Sequence, residues 1–266
     1  MGTLPKISRA ALHMWEEPCI SGTRGSGTVF FSGCSLGCLF CQNEEISHGG
    51  VGKTVPVERL RAIYFELMEK GAHNINLVNP THFADSIAES LGDLPVPVVY
   101  NTGGYDKVET LRLLEGKVQI YLPDMKYALP VPAGKYSLAK DYPETAKKAI
   151  LEMFRQVGPY RMDEEGMLQQ GVIIRHLILP ENIENTFRVI DWVEETFRPG
   201  DVIFSLMSQF TPMKGGKYPE LMRPLTEEEH RRCVNYLMDS GIEDGFFQDL
   251  ESSDTGFIPD FDLSGV

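Results

Sequence analysis

Short apolar runs of about five residues alternate along this chain with amphipathic stretches of helical length, and that rhythm narrows the possible folds more than any other feature. The runs are Thr28–Ser32, Asn74–Val78, Val96–Tyr100, Val118–Leu122, Val172–Leu179 and Asp201–Met207. Predicted helices follow them at Val57–Lys70, Thr81–Leu91, Asp106–Leu114, about Glu144–Val157, Ile183–Phe197 and Thr226–Ser240. Leu60, Ile63, Tyr64, Leu67 and Met68 share one face of the first helix, and Gly71 ends it. Thr226 with Glu229 three residues on opens the last as a capping box. Nearly continuous apolar strands, each followed by a helix, imply an α/β fold with a parallel sheet and helices outside it. A partial (β/α)6 barrel and an open doubly wound sheet both satisfy the pattern. In either, chemistry sits at the carboxyl ends of the strands.

A chain of 266 residues, 42% hydrophobic, can bury a core of that size without disulfide staples. No apolar run approaches the ~20 residues that span a bilayer, and Met1 to Arg9 lacks the apolar core of a secretory signal, so a cytoplasmic location with no membrane partner is expected. The formal net charge of −13 argues against nucleic acid as a partner, since that requires a basic footprint. Acid is concentrated between Ile242 and Val266, where Glu243, Asp244, Asp249, Glu251, Asp254, Asp260 and Asp262 face no Lys or Arg. This stretch reads as a solvated tail, or as one that covers a pocket or docks a partner, and its interleaved Phe246, Phe247, Phe257, Ile258 and Phe261 suggest that parts of it pack. The expected organisation is an N-terminal extension (1–26), the barrel (27–241) and an acidic tail packing on it (242–266).

Three of the five cysteines, Cys34, Cys38 and Cys41, fall within eight residues directly after the first predicted strand. An odd count does not suggest a disulfide framework. Three thiolates on a short loop can hold three irons of a cubane cluster and leave the fourth iron open to a small molecule, whereas electron-transfer clusters are closed by four cysteines. Zinc is the alternative, but it usually takes four ligands in two close pairs, and His48 is the only nearby imidazole. Cys19 and Cys233 lie far from the cluster and read as small buried hydrophobes.

The Cys-x3-Cys-x2-Cys spacing, with Phe40 just before the last cysteine, resembles the signature of the radical S-adenosylmethionine (SAM) superfamily. The resemblance implies a radical SAM-type partial (β/α)6 barrel. It also implies a [4Fe–4S] cluster on Cys34, Cys38 and Cys41, SAM chelated by the open iron, and Phe40 beside the adenine. Reductive cleavage of SAM to a 5′-deoxyadenosyl radical and hydrogen abstraction would follow. Within the superfamily the chain looks most like activating enzymes of glycyl radical enzymes such as pyruvate formate-lyase activating enzyme, and among these like the PflX-like group. Trp15-Glu16-Glu17-Pro18, Ile20-Ser21-Gly22 and Gly25-Ser26-Gly27-Thr28 carry that likeness.

Other cofactor contacts are implied in the same way. Asn79-Pro80-Thr81-His82 stands where a Gly-Gly-Glu type loop receives the SAM amino group, so Asn79 and Thr81 are candidates; the same residues also read as a plain helix start, with Asn79 as N-cap. Asn101 and Thr102 occupy the Asp-Thr-Asn-Gly-like turn, with Asn101 in place of its acid. Asp124 and Lys126 match an Asp-x-Lys element. On the fifth strand Arg175 and His176 must point to opposite faces. Arg175 suits the SAM carboxylate and needs a partner if buried, whereas His176 reads as a satisfied core histidine. Gln209 follows the sixth strand at a position where a SAM contact is expected. His13, Trp15, Glu16 and Glu17 line the substrate side, or form a lid or a surface turn. The implied partners are a glycyl radical enzyme or another protein or peptide, and a flavodoxin- or ferredoxin-type electron donor. Three other readings fit the residues: a radical enzyme acting on a small molecule, a non-catalytic iron–sulfur or zinc protein, and a family member that binds SAM without cleaving it.

Overall fold

The computed structural model describes residues 4–250 and 259–266. Its sheet runs β10-β9-β8-β6-β5-β4-β2-β1-β3. The parallel strands are β2 (Ser26–Phe31), β4 (Ile75–Val78), β5 (Val98–Thr102), β6 (Ile120–Pro123), β8 (Leu168–Leu177), β9 (Ile203–Met207) and β10 (Gly245–Phe247). The first six are the expected series, and β10 adds a short seventh beside β9. β1 (Lys6–His13) pairs antiparallel with β2, and β3 (Lys53–Thr54) with β1; β7 (Arg161–Met162) pairs off the main path with β8. The arrangement is an α/β partial barrel, open between its edge strands.

Nine α-helices accompany the strands among the described residues. Two are single turns, α1 (Pro18–Ser21) and α2 (Glu44–Ser47). The crossovers are α3 (Val57–Glu69), α4 (Ala84–Leu91), α5 (Val108–Arg112), α7 (Tyr142–Val157), α8 (Ile183–Thr196) and α9 (Glu227–Met238). The loose connection expected after β6 holds a further helix, α6 (Pro130–Ser137), whose prolines sit in the first turn, where a missing N–H costs nothing. Thr226 accepts from the Glu229 N–H at 3.2 Å while Glu229 accepts from the Thr226 N–H at 2.9 Å, which completes the capping box. β5 starts two residues later than its apolar run because Pro97 cannot donate to the ladder. The predicted helix Thr81–Leu91 opens with a 3-10 turn, Thr81–Phe83, before α4 begins.

Period-two alternation divides each strand between two cores. Outward residues such as Val98, Tyr100, Tyr121, Val172, Ile174 and Phe204 pack under the helices. Inward residues Val99, Ile120, Leu122, Ile173 and Ile203 form a smaller cluster that Cys19 and Ile20 of α1 plug from within. After β1 the chain turns inward, fills the floor of the barrel with α1, and continues into β2. Residues 259–266 return to the outer edge of β1, where Ala10 N–H donates to Ser264 at 2.8 Å and Leu263 N–H to Ser8 at 3.1 Å. Arg9 pairs with Asp262 at 2.9 Å, and Phe261 meets Phe30 edge-on at 5.5 Å. Glu251, Asp254, Phe257 and Ile258 of the acidic stretch lie outside the described residues. Among the described residues no helix is long and apolar enough to cross a membrane.

Candidate functional site

Above the apolar floor the inward positions become polar, and a cavity of about 460 Å³ opens at the carboxyl ends of the strands. Cys34, Cys38, Phe40, Cys41, Asn79, Asn101, Thr102, Asp124, Lys126, Arg175 and Gln209 all line it. Of the candidate cofactor contacts, Thr81 stands apart. Its hydroxyl donates to Asp106 at 2.8 Å and is not part of the lining. Asp106 also accepts from Thr102 at 2.6 Å and Tyr100 at 3.1 Å, so Thr81 ties the β4 and β5 ends together behind the wall. Burial pushes the Asp106 carboxyl up, and these hydroxyls oppose the shift.

The cysteine loop leaves β2 at Gly33, whose φ of +93° is open to glycine at little cost. Asn79, also left-handed at φ +57°, donates its amide to the Gly33 carbonyl instead of capping a helix. The loop is held from α6 as well, through Leu39 N–H to Tyr136 at 2.9 Å. Each thiol has a polar neighbour at sulfur: Leu36 N–H at 3.4 Å from Cys34, the Ser137 hydroxyl at 3.0 Å from Cys38, and the Ser47 hydroxyl at 3.4 Å from Cys41. Burial pushes the Cys34 thiol up and the Cys38 thiol up to about 11, while the Lys126 ammonium draws both down. A metal bound here would lower them much further.

Among the described residues no three His, Cys, Asp or Glu side chains converge as ligands of one ion. A cubane distributes its cysteine sulfurs over three irons and needs a wider triangle than a single ion does. The donor set, three unpaired thiols on one cavity wall with donors at their sulfurs, fits such a cluster. His48 is engaged with the Leu36 carbonyl at 3.1 Å. Cys19 and Cys233 are buried, and that burial drives both thiols to about 12, which makes them unreactive.

Opposite the thiols lies a buried charge network. Arg175 points inward from β8 and donates to Asp124 at 3.0 Å, Glu16 at 3.1 Å and Asn101 at 2.7 Å. The partner a buried arginine requires is thus supplied by the protein. Lys126 pairs with Asp124 at 2.5 Å. Burial opposes ionisation of Asp124, but Lys126 and Arg175 more than offset it and hold the carboxyl below its usual range. Glu16 also accepts from Asn76 and Asn101, both at 3.1 Å; burial nevertheless raises its pKa, with Arg175 opposing. The Tyr142 hydroxyl accepts from Lys126 N–H at 2.9 Å and lies within 2.8 Å of the Gly103 and Asp124 carbonyls, fixing the loops after β5 and β6. Gln42 reaches from the cysteine loop to the Gln209 carbonyl at 3.0 Å and links opposite sides of the mouth.

His176 faces the other way. It is 1% exposed and lies between the Met125 carbonyl, 2.7 Å away, and the Thr186 hydroxyl, 2.9 Å away. Glu16 and Glu17 could not be placed from the sequence, because their role depends on the chain doubling back from β1 into the barrel. The paired acids before Pro18 were the one available signal. Ser137 and Asp106 gave none.

No family model matches the chain. An uncharacterized protein of Methanocaldococcus jannaschii is 32% identical over 235 residues, which are 84% of this chain and 64% of that protein. The chain therefore spans under two thirds of this curated relative. Among solved structures, Streptococcus suis SuiB bound to S-adenosylmethionine matches with a TM-score of 0.57 at 13% identity, covering 82% of this chain and 48% of SuiB. HydG, a maturase of the [FeFe]-hydrogenase, matches with a TM-score of 0.57 at 15% identity, covering 89% of this chain and 55% of HydG. The fold is the partial α/β barrel that these two structures share. At these identities the likeness is one of fold, and the chain spans about half of each structure.

Proposed function

We propose that this protein is a radical SAM enzyme. The observation that carries the reading is convergence: three thiols in Cys-x3-Cys-x2-Cys spacing and the Asp124–Lys126–Arg175 cluster open onto one cavity of about 460 Å³ at the strand ends. The fold shared with SuiB, whose structure holds SAM, supports it. Cys34, Cys38 and Cys41 would hold a [4Fe–4S] cluster, which when bound supplies an open iron for SAM and the electron that cleaves it to methionine and a 5′-deoxyadenosyl radical.

The protein's own groups bind, orient and exclude water. Asp124 is fixed by two cations and so offers its remaining acceptor capacity in one place, as a ribose hydroxyl requires. Arg175 keeps two N–H groups beyond its three protein bonds, and these, with Lys126, suit a carboxylate. Phe40, 6.2 Å from Phe210, is an apolar wall beside the thiols for a purine ring. Asn79, Asn101, Thr102 and Gln209 complete the polar rim.

Hydrogen abstraction from a protein or peptide is the proposed outcome, with glycyl radical enzyme activation as its specific form. Its support is the sequence likeness to activating enzymes and the fold shared with SuiB, which has been solved with a precursor peptide (TM-score 0.55, 12% identity). A flavodoxin- or ferredoxin-type donor would deliver the electron. The test is anaerobic reconstitution with iron and sulfide, then SAM and dithionite, with 5′-deoxyadenosine followed by chromatography. Product in the wild type and none in Cys38→Ala is expected. A reconstituted cluster that leaves SAM unbound would overturn the reading.

A further inference from the structure

The cavity wall carries five charged side chains: Glu16, Glu17, Asp124, Lys126 and Arg175. Four of them are mutually paired. Arg175 contacts Glu16 and Asp124, and Lys126 contacts Asp124. Three carboxylates stand against two cations, and Glu17 is the carboxylate that no ion pair holds. This residue is 9% exposed, and its Oε2 is a buried oxygen without a hydrogen-bond partner. A buried carboxylate with an idle oxygen is costly by itself. Burial accordingly pushes the Glu17 pKa up, against the pull of Arg175.

The surroundings say what would satisfy it. Ser205 on β9 stands in register with Arg175 on one side and Phe246 of β10 on the other, which brings these side chains to one level of the barrel. Ser205 and Phe246 line the same cavity as Glu17. A carboxylate with one idle oxygen, a Ser205 hydroxyl that donates to that carboxylate and keeps its own lone pairs free, and an aromatic ring together favour a group that is cationic and only donates hydrogen bonds. An ammonium meets all three demands, pairing with the carboxylate and facing the ring.

We propose that Glu17, with Ser205 and Phe246, receives a protonated amine of the substrate. The word substrate rests on the radical SAM reading; the amine site itself does not. Benzylammonium and the neutral benzyl alcohol are suitable probes, titrated calorimetrically into the reconstituted protein, with SAM titrated separately. A charge-assisted contact at a buried carboxylate predicts that the amine binds about ten- to hundredfold more tightly than the alcohol. Glu17→Gln should erase that preference and leave SAM affinity within about twofold. Phe246→Leu, which keeps apolar bulk but removes the ring, should weaken the amine by about threefold. It provides a second reading if Glu17→Gln folds poorly. Equal binding of the two probes, or an amine preference that survives Glu17→Gln, overturns the proposal. A large loss of SAM affinity in Glu17→Gln also overturns it, by assigning the carboxylate to the SAM ammonium. Failure of SAM to bind the wild type would remove the radical reading but leave the probe comparison intact.

Discussion

His176 couples acid stability to the geometry of the site. Its ring is 1% exposed, and burial lowers its pKa from 6.5 to about 4. The Met125 carbonyl can only accept, so Nδ1 carries the proton and Nε2 accepts from Thr186. The native state therefore holds a neutral imidazole that pins the residue between Asp124 and Lys126. As pH falls below 6.5 the unfolded chain protonates this histidine first. Stability then drops by up to ~1.36 kcal/mol per pH unit until the folded pKa is reached. Integrated from about pH 7 to about pH 5.5, this one group costs ~1.2 kcal/mol. The upper part of the range is preferable because the sequence pI is ≈ 4.9 and solubility falls near it. Urea unfolding of wild type and His176→Gln at both pH values isolates the effect, since glutamine can keep both hydrogen bonds but does not titrate. The wild type should lose ~1.2 kcal/mol more than the variant over that interval. Equal losses would mean that His176 is not buried as a neutral group.

Gly104 sits at φ +77°, and a Cβ there would lie 2.1 Å from the Asp124 carbonyl oxygen, so Gly104→Ala should cost at least ~2 kcal/mol in thermal unfolding and weaken SAM binding by displacing the loop after β6. Arg175→Met removes the cation that pairs with Glu16 and one of the two that pair with Asp124, and should cost about 3–5 kcal/mol in urea unfolding; adding Glu16→Gln should recover part of that loss, and no recovery would contradict the pairing. Thr226→Ala breaks only the capping box at the start of α9 and should cost ~1 kcal/mol while SAM affinity is unchanged.

The parallel strands from β2 to β9 were legible because both faces of each are covered, which leaves nearly unbroken apolar runs in the sequence. β1 and β10 were not. β1 is an antiparallel strand of mixed burial with an irregular register between Ile7 and Arg9, and β10 is three residues inside an acidic stretch. The cysteine spacing could be read because its chemistry is local. The alternation of β8 announced that Arg175 and His176 part company, but not which of them turns inward. One of the two acids that meet Arg175 is Glu16, 159 positions away, and no local pattern encodes that approach. Thr81 illustrates the converse: its hydroxyl donates to Asp106, a partner that only the folded neighbourhood reveals.

The strap formed by residues 259–266 has a consequence for how the chain is made. The outer edge of β1 is covered by β3 only at Lys6 and Ile7. Its next stretch, Ser8 to Ala10, waits for Leu263 and Ser264. On the ribosome that edge emerges early and its guard more than two hundred residues later. For most of synthesis the nascent barrel therefore presents unpaired backbone that another strand could occupy. Chains interrupted before residue 263 should fold around an exposed edge and aggregate, although every residue of the candidate site has already been made.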